Sequence, residues 1–198
     1  MTDGSRKDDI WKTSLLPDRM DGKDVLDVGA YDGGLSFEAE RRGARTITAI
    51  DVWGVRATYW FGTFESPSKE SFDYCHRLLN SKVISRVQSI YDLHDERAYD
   101  WVFFSQVLYH LENPMLGLRN VSRASRDKVM LNTRCDCIST DCSMRYTSHD
   151  AICNDMTNFW CPTLPCLIQL CSDVGMSVNE QFIGPNKDWV VLILSVVS

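Results

Sequence analysis

The sequence contains no uninterrupted apolar run near the roughly 18 residues that a membrane-spanning helix needs. Its opening, MTDGSRKDDIWK, is polar where a signal peptide has an apolar centre. From these two absences we expect a soluble, cytoplasmic chain with no membrane partner. Positive charge is also in short supply: 21 Lys and Arg stand against 27 Asp and Glu, for a formal net charge of −6. No overall field draws such a chain to nucleic acid. Internal repeats and low-complexity tracts are missing too, which excludes a solenoid.

What is present suits one domain over residues 1–198. With 44% hydrophobic and 24% charged residues in 198 positions, the chain can bury a full core unaided by disulfides or metals. Cysteine is plentiful: there are eight, of which only Cys75 lies outside the stretch from Cys135 to Cys171. Without a secretory signal, a reducing compartment is the default and free thiols are expected. Cys137 with Cys142, Cys161 with Cys166 and Cys166 with Cys171 have spacings that zinc sites tolerate. Five positions along a helix turn through about 500°, however, which points Cys166 and Cys171 in different directions. Small buried hydrophobes is the preferred reading, and no metal is expected.

Strand and helix patterns alternate along the chain. Residues 23–29, 45–51, 82–90, 99–106 and 127–134 read as strands. Helices are expected over 34–44, ended by Gly43, and over 66–81, opened by Ser66 and Pro67, with Phe72, Cys75 and Leu79 on its inner face. A third follows the Asn113 cap and Pro114. An N-terminal helix is expected at about 9–16. Alternation of this kind implies βαβ units and a parallel sheet covered on both faces. The ending differs: MSVNEQFI, a Gly-Pro-Asn-Lys turn and DWVVLILSVV form a hairpin pattern, so the last strand should run antiparallel. Between these parts, residues 135–175 are less regular, apart from a helix over 165–174.

The stretch VLDVGAYDGG places a glycine-bearing turn between the first strand and its helix, where backbone amides can face a ligand. A dinucleotide fingerprint has three glycines in G-x-G-x-x-G, but here Gly29, Tyr31 and Gly34 occupy those places. Tyrosine is a poor seat for a pyrophosphate. The second strand ends on Asp51, about twenty residues on, where a carboxylate can accept both ribose hydroxyls.

On VLDVGAYDG, ITAID and YDWVFFSQVLYHLENP, the chain resembles class I S-adenosylmethionine-dependent methyltransferases. VLYHLENPMLGLRNV and TNFWCPTLPCLIQLCSDVGM look most like the branch holding the tRNA wobble-uridine methyltransferases and their relatives. The resemblance implies a Rossmann-like α/β three-layer sandwich, with a seven-stranded, mostly parallel sheet and an antiparallel terminal hairpin strand. It also implies S-adenosyl-L-methionine as cofactor, with its methionine end against Asp27, Gly29 and the helix start at Gly33, and its ribose on Asp51. Adenine would lie near Ser89, Ile90 and Tyr91, and Ser105 and Gln106 would line the floor. Ala30, Tyr31 and Val52 complete the implied cofactor set. Relatives commonly carry Asp at the place of Ser89, so the bond to adenine would lack charge assistance here. Tyr109 matches the tyrosine of the branch, but no counterpart of the basic residues that hold a carboxymethylated cofactor is found.

The implied reaction transfers a methyl group to a small molecule or a modified nucleoside. His110, after the fourth strand, is the candidate base, with Tyr109 beside it; capping the next helix or satisfying a buried carbonyl is the competing role. Arg119, Arg123, Arg126, Lys128 and Arg134 form a basic strip that reads as a solvated face in preference to a tRNA contact. Trp53, Tyr59, Trp60, Phe61 and Phe64 make either a substrate lid or a structural plug; Asn158, Phe159 and Trp160 are read as substrate contacts. His76, His94 and His149 are assigned to surface or packing. Two rivals remain: a cofactor-binding, non-catalytic subunit that activates or scaffolds a partner, and a nicotinamide-dependent oxidoreductase. Neither the acceptor nor the oligomeric state is legible.

Overall fold

The computed structural model describes residues 13–59, 62–147 and 157–197, with backbone alone for 57–59 and 62–64. Of the expected N-terminal helix, residues 9–12 lie outside the described residues, while Thr13 and Ser14 are helical. The chain forms two compact units, one ending at Ser89 and the other beginning at Ile90.

In the first unit, β1 (Asp24–Val28) pairs in parallel with β2 (Thr46–Asp51), which pairs in parallel with β5 (Ile84–Val87). Val25 to Val28 are all buried, as expected of a strand covered on both faces. By contrast, Ile84 and Val87 are more than half exposed on the edge strand β5. Helix α1 (Gly34–Arg41) follows β1, and α2 (Glu70–Leu78) precedes β5. At the end of α1, Glu38 is held by Arg41 and Arg42, chiefly the Arg41 bond, and its carboxyl drops to about 2. The Arg42 guanidinium also takes the carbonyls of Thr13, Leu16 and Pro17, which ties the N-terminal segment down.

Two expectations about α2 need correction. It starts at Glu70 instead of at Ser66-Pro67, because those residues are already committed elsewhere. The Ser66 amide donates to Val55 O at 2.9 Å and Pro67 O accepts from Gly54 at 3.1 Å. The helix also ends at Leu78, leaving Leu79 as its 57% exposed cap. The inner face is Phe72 with His76, whose rings stack at 6.0 Å, and His76 Nε2 lies 3.0 Å from Val83 O. The aromatic segment after β2 contains a hairpin of β3 (Arg56–Tyr59) and β4 (Gly62–Glu65). Trp60 and Phe61 lie outside the described residues, as do the side chains of Tyr59 and Phe64.

The second unit contains β6 (Tyr99–Ser105), α3 (Pro114–Ala124) and β7 (Ser125–Arg134), with β6 and β7 parallel. Asn113 Oδ1 accepts the Leu116 amide at 3.1 Å and caps α3 ahead of Pro114. A two-stranded sheet follows, β8 (Met144–Tyr146) with β9 (Trp160–Pro162), then α4 (Leu164–Asp173). His149 and Cys153 fall outside the described residues. The chain closes with β10 (Met176–Ile183) and β11 (Trp189–Val196); β11 is antiparallel to both β10 and β7. Its buried run Val190–Leu194 pairs with Val129–Thr133 at the heart of this unit.

The seven strands run in the order β10-β11-β7-β6-β1-β2-β5. The protein is thus an α/β fold with a seven-stranded, mostly parallel, Rossmann-like sheet and an antiparallel hairpin strand.

Candidate functional site

In the first unit, the turn from β1 to α1 is built by backbone that few residue types tolerate. Gly29, Tyr31 and Gly33 have φ of 72°, 51° and 86°. Gly33 is also required by packing: a Cβ there would come within 2.5 Å of the Phe37 ring and 2.9 Å of Phe72. Tyr31 adopts the left-handed region despite its side chain, which stands 41% exposed. Such a conformation persists where the surroundings hold it.

Here they do. The Gly29 and Ala30 amides donate to Ile50 O at 2.8 and 3.2 Å, and the Tyr31 amide donates to Asp51 Oδ2 at 2.8 Å. The Val52 amide donates to the other oxygen, Asp51 Oδ1, at 2.7 Å. From below, Trp53 Nε1–H donates to Tyr31 O at 2.8 Å, and Lys69 lies over the Trp53 ring at 5.6 Å. Gly33 and Gly34 donate to Ala30 O and Asp32 Oδ1. The amides expected to face a ligand are therefore engaged in closing the turn onto β2. What the turn presents is a half-buried carboxylate at the end of a strand, clamped by two amides. Such a carboxylate has about four lone-pair sites and accommodates further donors.

Beneath the turn, Asp27 is 2% exposed and accepts the Ser36 hydroxyl at 2.6 Å. Burial, more than the negative charges of Asp51 and Asp32, pushes its carboxyl up to about 7, against the opposing effect of the Ser36 bond. Ser89 follows β5, and the neighbouring Gln88 amide donates to Asp51 O at 2.9 Å.

In the second unit, Ile90 is buried and its carbonyl accepts Asn120 Nδ2 at 2.9 Å; Tyr91 Oη accepts the Asn113 amide at 2.9 Å. Ser105 ends β6, and its hydroxyl accepts Asn132 Nδ2 at 3.2 Å, while the Gln106 amide donates to Asn132 O at 2.7 Å. Gln106 itself has a φ of 60°. The short turn Leu108–His110 follows. The Tyr109 and His110 rings lie 4.2 Å apart, and His110 Nδ1 lies 2.8 Å from Thr157 Oγ1 and 3.1 Å from Thr157 O. When Nδ1 carries the proton and donates to that carbonyl, Nε2 is the nitrogen that can accept one.

The residues read as substrate contacts are differently placed. Asn158 and Phe159 are buried, with the Asn158 carbonyl accepting Thr147 Oγ1 and the Phe159 amide donating to Tyr109 O. They join the β8–β9 sheet to the Tyr109 turn. Trp160 is half-buried, its Nε1–H on Glu112 O and its ring edge-on to Tyr146. In the basic strip, Arg123, Arg126 and Arg134 pair with Glu96, Asp100 and Asp188, and Lys128 reaches Asn179 and Ser195.

Ser36, Asn132 and Thr157 are additions that the sequence reading missed, and Trp53, read as part of a lid or plug, also braces the turn. Asn132 left a signal, a lone amide in the apolar run VMLNT; Ser36 and Thr157 left none. Among the described residues, no group of three or more His, Cys, Asp or Glu could hold a metal ion, and no helix is long and apolar enough to cross a membrane.

The sequence matches no family model and no curated protein. Its fold is shared with solved structures. The 1,6-didemethyltoxoflavin-N1-methyltransferase of Burkholderia thailandensis, holding 1,6-didemethyltoxoflavin and S-adenosylhomocysteine, is 15% identical with a TM-score of 0.65, over 90% of this chain and 72% of that one. An S-adenosylmethionine-dependent methyltransferase of Mesorhizobium loti is 11% identical, TM-score 0.66, over 92% and 94%. The [4+2]-cyclase SpnF is 14% identical, TM-score 0.71, over 94% and 80%.

Proposed function

We propose that the chain binds S-adenosyl-L-methionine and transfers its methyl group to a small molecule or a modified nucleoside. The observation that carries this reading is the Asp51 carboxylate fixed at the end of β2 by the Tyr31 and Val52 amides. A carboxylate held there suits the two hydroxyls of a ribose. The Cβ of Tyr31, at the place of the middle glycine, is unsuited to a pyrophosphate, which weighs against a nicotinamide cofactor. The LYH segment, with its likeness to the tRNA wobble-uridine branch, adds a modified nucleoside to the acceptor classes. The pairing of Arg123, Arg126 and Arg134 with acids weighs against a long RNA footprint.

In this reading Asp51 orients the ribose, Ser89, Ile90 and Tyr91 border the adenine, and Ser105 and Gln106 line the floor. Asp27, Gly29 and Gly33 form the wall at the methionine end, and Ala30, Tyr31 and Val52 complete the cofactor set. When bound, the cofactor supplies a methyl group already activated on a sulfonium. The protein's own task is alignment and exclusion of water. His110, set by Thr157, takes the proton that a hydroxyl or ammonium acceptor gives up, and Tyr109 packs beside it.

A second reading has the chain bind the cofactor without transferring methyl, as a subunit that activates or scaffolds a partner. The sharing of this fold with a protein named a [4+2]-cyclase is in keeping with a fold whose members are not all named for methyl transfer. Titration calorimetry with S-adenosylhomocysteine and with NAD tests the cofactor, and transfer of labelled methyl to a metabolite extract separates the two readings. Binding to the first compound alone supports the proposal; binding to NAD alone overturns it.

A further inference from the structure

Five described cysteines lie between β7 and the first turn of α4, and two of them are organised by a single side chain outside the cofactor machinery. Thr163 is the N-cap of α4 and 5% exposed. Its hydroxyl donates to Asp141 O at 2.6 Å and accepts the amides of Ser143 at 3.2 Å and Cys166 at 3.4 Å. The Thr163 amide in turn donates to Ser143 O at 2.9 Å. Residues 141–143 are thereby wrapped onto the helix start, which carries Cys142 over Cys166. Thr163 thus draws the Cys142 and Cys166 side chains together, and both thiols are free.

We infer that Cys142 and Cys166 are a dithiol modification site, which a hydroperoxide converts to a disulfide stapling residues 141–143 to the first turn of α4. Cys142 is exposed, whereas Cys135, Cys161 and Cys171 are buried. Oxidant therefore meets Cys142 first. Burial, and then the proximity of Cys142, raise the Cys166 thiol above its ordinary range, which disfavours it as the first thiol to meet peroxide. In the first step the Cys142 sulfur takes one peroxide oxygen to become a sulfenic acid, and the other leaves as water or alcohol. In the second, the Cys166 sulfur attacks the sulfenic sulfur; the S–O bond breaks, the S–S bond forms and water departs with the Cys166 proton. The net change oxidises two thiols by two electrons and reduces one peroxide. A cellular dithiol reverses it by exchange.

The product restrains a functional neighbourhood. Residue 143 leads into β8, whose partner β9 is joined to the Tyr109 turn through Phe159. A staple between 142 and 166 fixes that small sheet to α4. This inference stands apart from the cofactor reading, and its test needs no cofactor.

Reduced, full-length protein is exposed to a slight excess of hydrogen peroxide, alkylated, digested without reductant and mapped by mass spectrometry, with Tm followed in parallel. Expected are a linked peptide pair joining residues 142 and 166, a rise in Tm of several degrees, and reversal of both by dithiothreitol. In Cys142→Ser, an exposed and structurally mild change, Cys166 should stay alkylatable and Tm should not rise. The inference is overturned when wild-type Cys142 and Cys166 both remain alkylated, when either pairs with a different cysteine, or when Cys142 proceeds to sulfinic acid with Cys166 untouched.

Discussion

The amide of Tyr31 and the carboxylate of Asp51 are joined at 2.8 Å across twenty positions of chain, the N–H donating to Oδ2. This one bond makes the β1–α1 turn and the end of β2 a single object. It also holds Tyr31 at a φ of 51°, a conformation that costs energy when left unsupported.

Trp53 supports the same turn from the other side through its bond to Tyr31 O. Trp53→Phe keeps most of the ring against Phe72, 5.0 Å away, and removes only the donor. A neutral hydrogen bond contributes about 0.5–1.5 kcal/mol, so affinity for S-adenosylhomocysteine should fall about threefold to tenfold. Trp53→Ala should instead cost about 3–5 kcal/mol of stability, as large aromatic truncations do. Calorimetry and urea denaturation together check both.

Gly33→Ala tests the packing of the turn. The new methyl must enter space held by the Phe37 and Phe72 rings, at a φ of 86°. Overpacking and left-handed strain each cost about 1–3 kcal/mol. Loss of at least that much in urea denaturation is expected; unchanged stability would show that the rings do not hem in this position.

Asp27 gives a pH signature. Its folded-state carboxyl near 7 lies above the ordinary 3.8, so the native chain holds that proton more tightly than the unfolded chain. The resulting stabilisation is complete below pH 3.8 and is lost as pH rises through about 7. Asp27→Asn lacks a proton to lose. Wild-type stability should therefore decline relative to the variant between those two values, as measured by denaturation at a series of pH. A constant difference would rule out the raised carboxyl.

At His110, substitution should change chemistry without changing binding. General-base catalysis typically contributes about 10²–10⁴-fold. His110→Gln should lower methyl transfer by at least the smaller factor and leave S-adenosylhomocysteine affinity within about twofold. Thr157→Val, which removes the hydroxyl 2.8 Å from Nδ1, should lower methyl transfer in the same direction by a smaller factor. Equal losses in binding and rate would return His110 to a structural role.

The regular parts of this fold were open to reading in the sequence. Val25–Val28 and Val190–Leu194 are buried runs that only covered strands need, Gly43 and Asn113 mark helix ends, and the hairpin pattern foretold the antiparallel β11. Reading failed where tertiary partners decide. Ser66 and Pro67 look like a helix start, but the backbone at Gly54 and Val55 claims them. Phe159 reads as a substrate contact, and its place, buried at the junction of β9 with the Tyr109 turn, is set by its amide's bond to Tyr109 O. In the candidate site, the place of Asp51 at a strand end and of Gly29 and Gly33 in a strand-to-helix turn was legible from spacing. That the turn amides serve β2 was not, since it depends on register between β1 and β2. The bonds of Trp53 to Tyr31 and of Thr157 to His110 were invisible for the same reason: each joins residues far apart in sequence.

The measurement closest to the central claim is a calorimetric titration of folded wild-type protein and Asp51→Ala with S-adenosylhomocysteine. Two charge-assisted hydrogen bonds to a ribose, at about 1.5–3 kcal/mol each, predict a well-defined isotherm for the wild type and a loss of at least a hundredfold in the variant. Equal affinity in both proteins, or no heat from the wild type, would contradict the assignment.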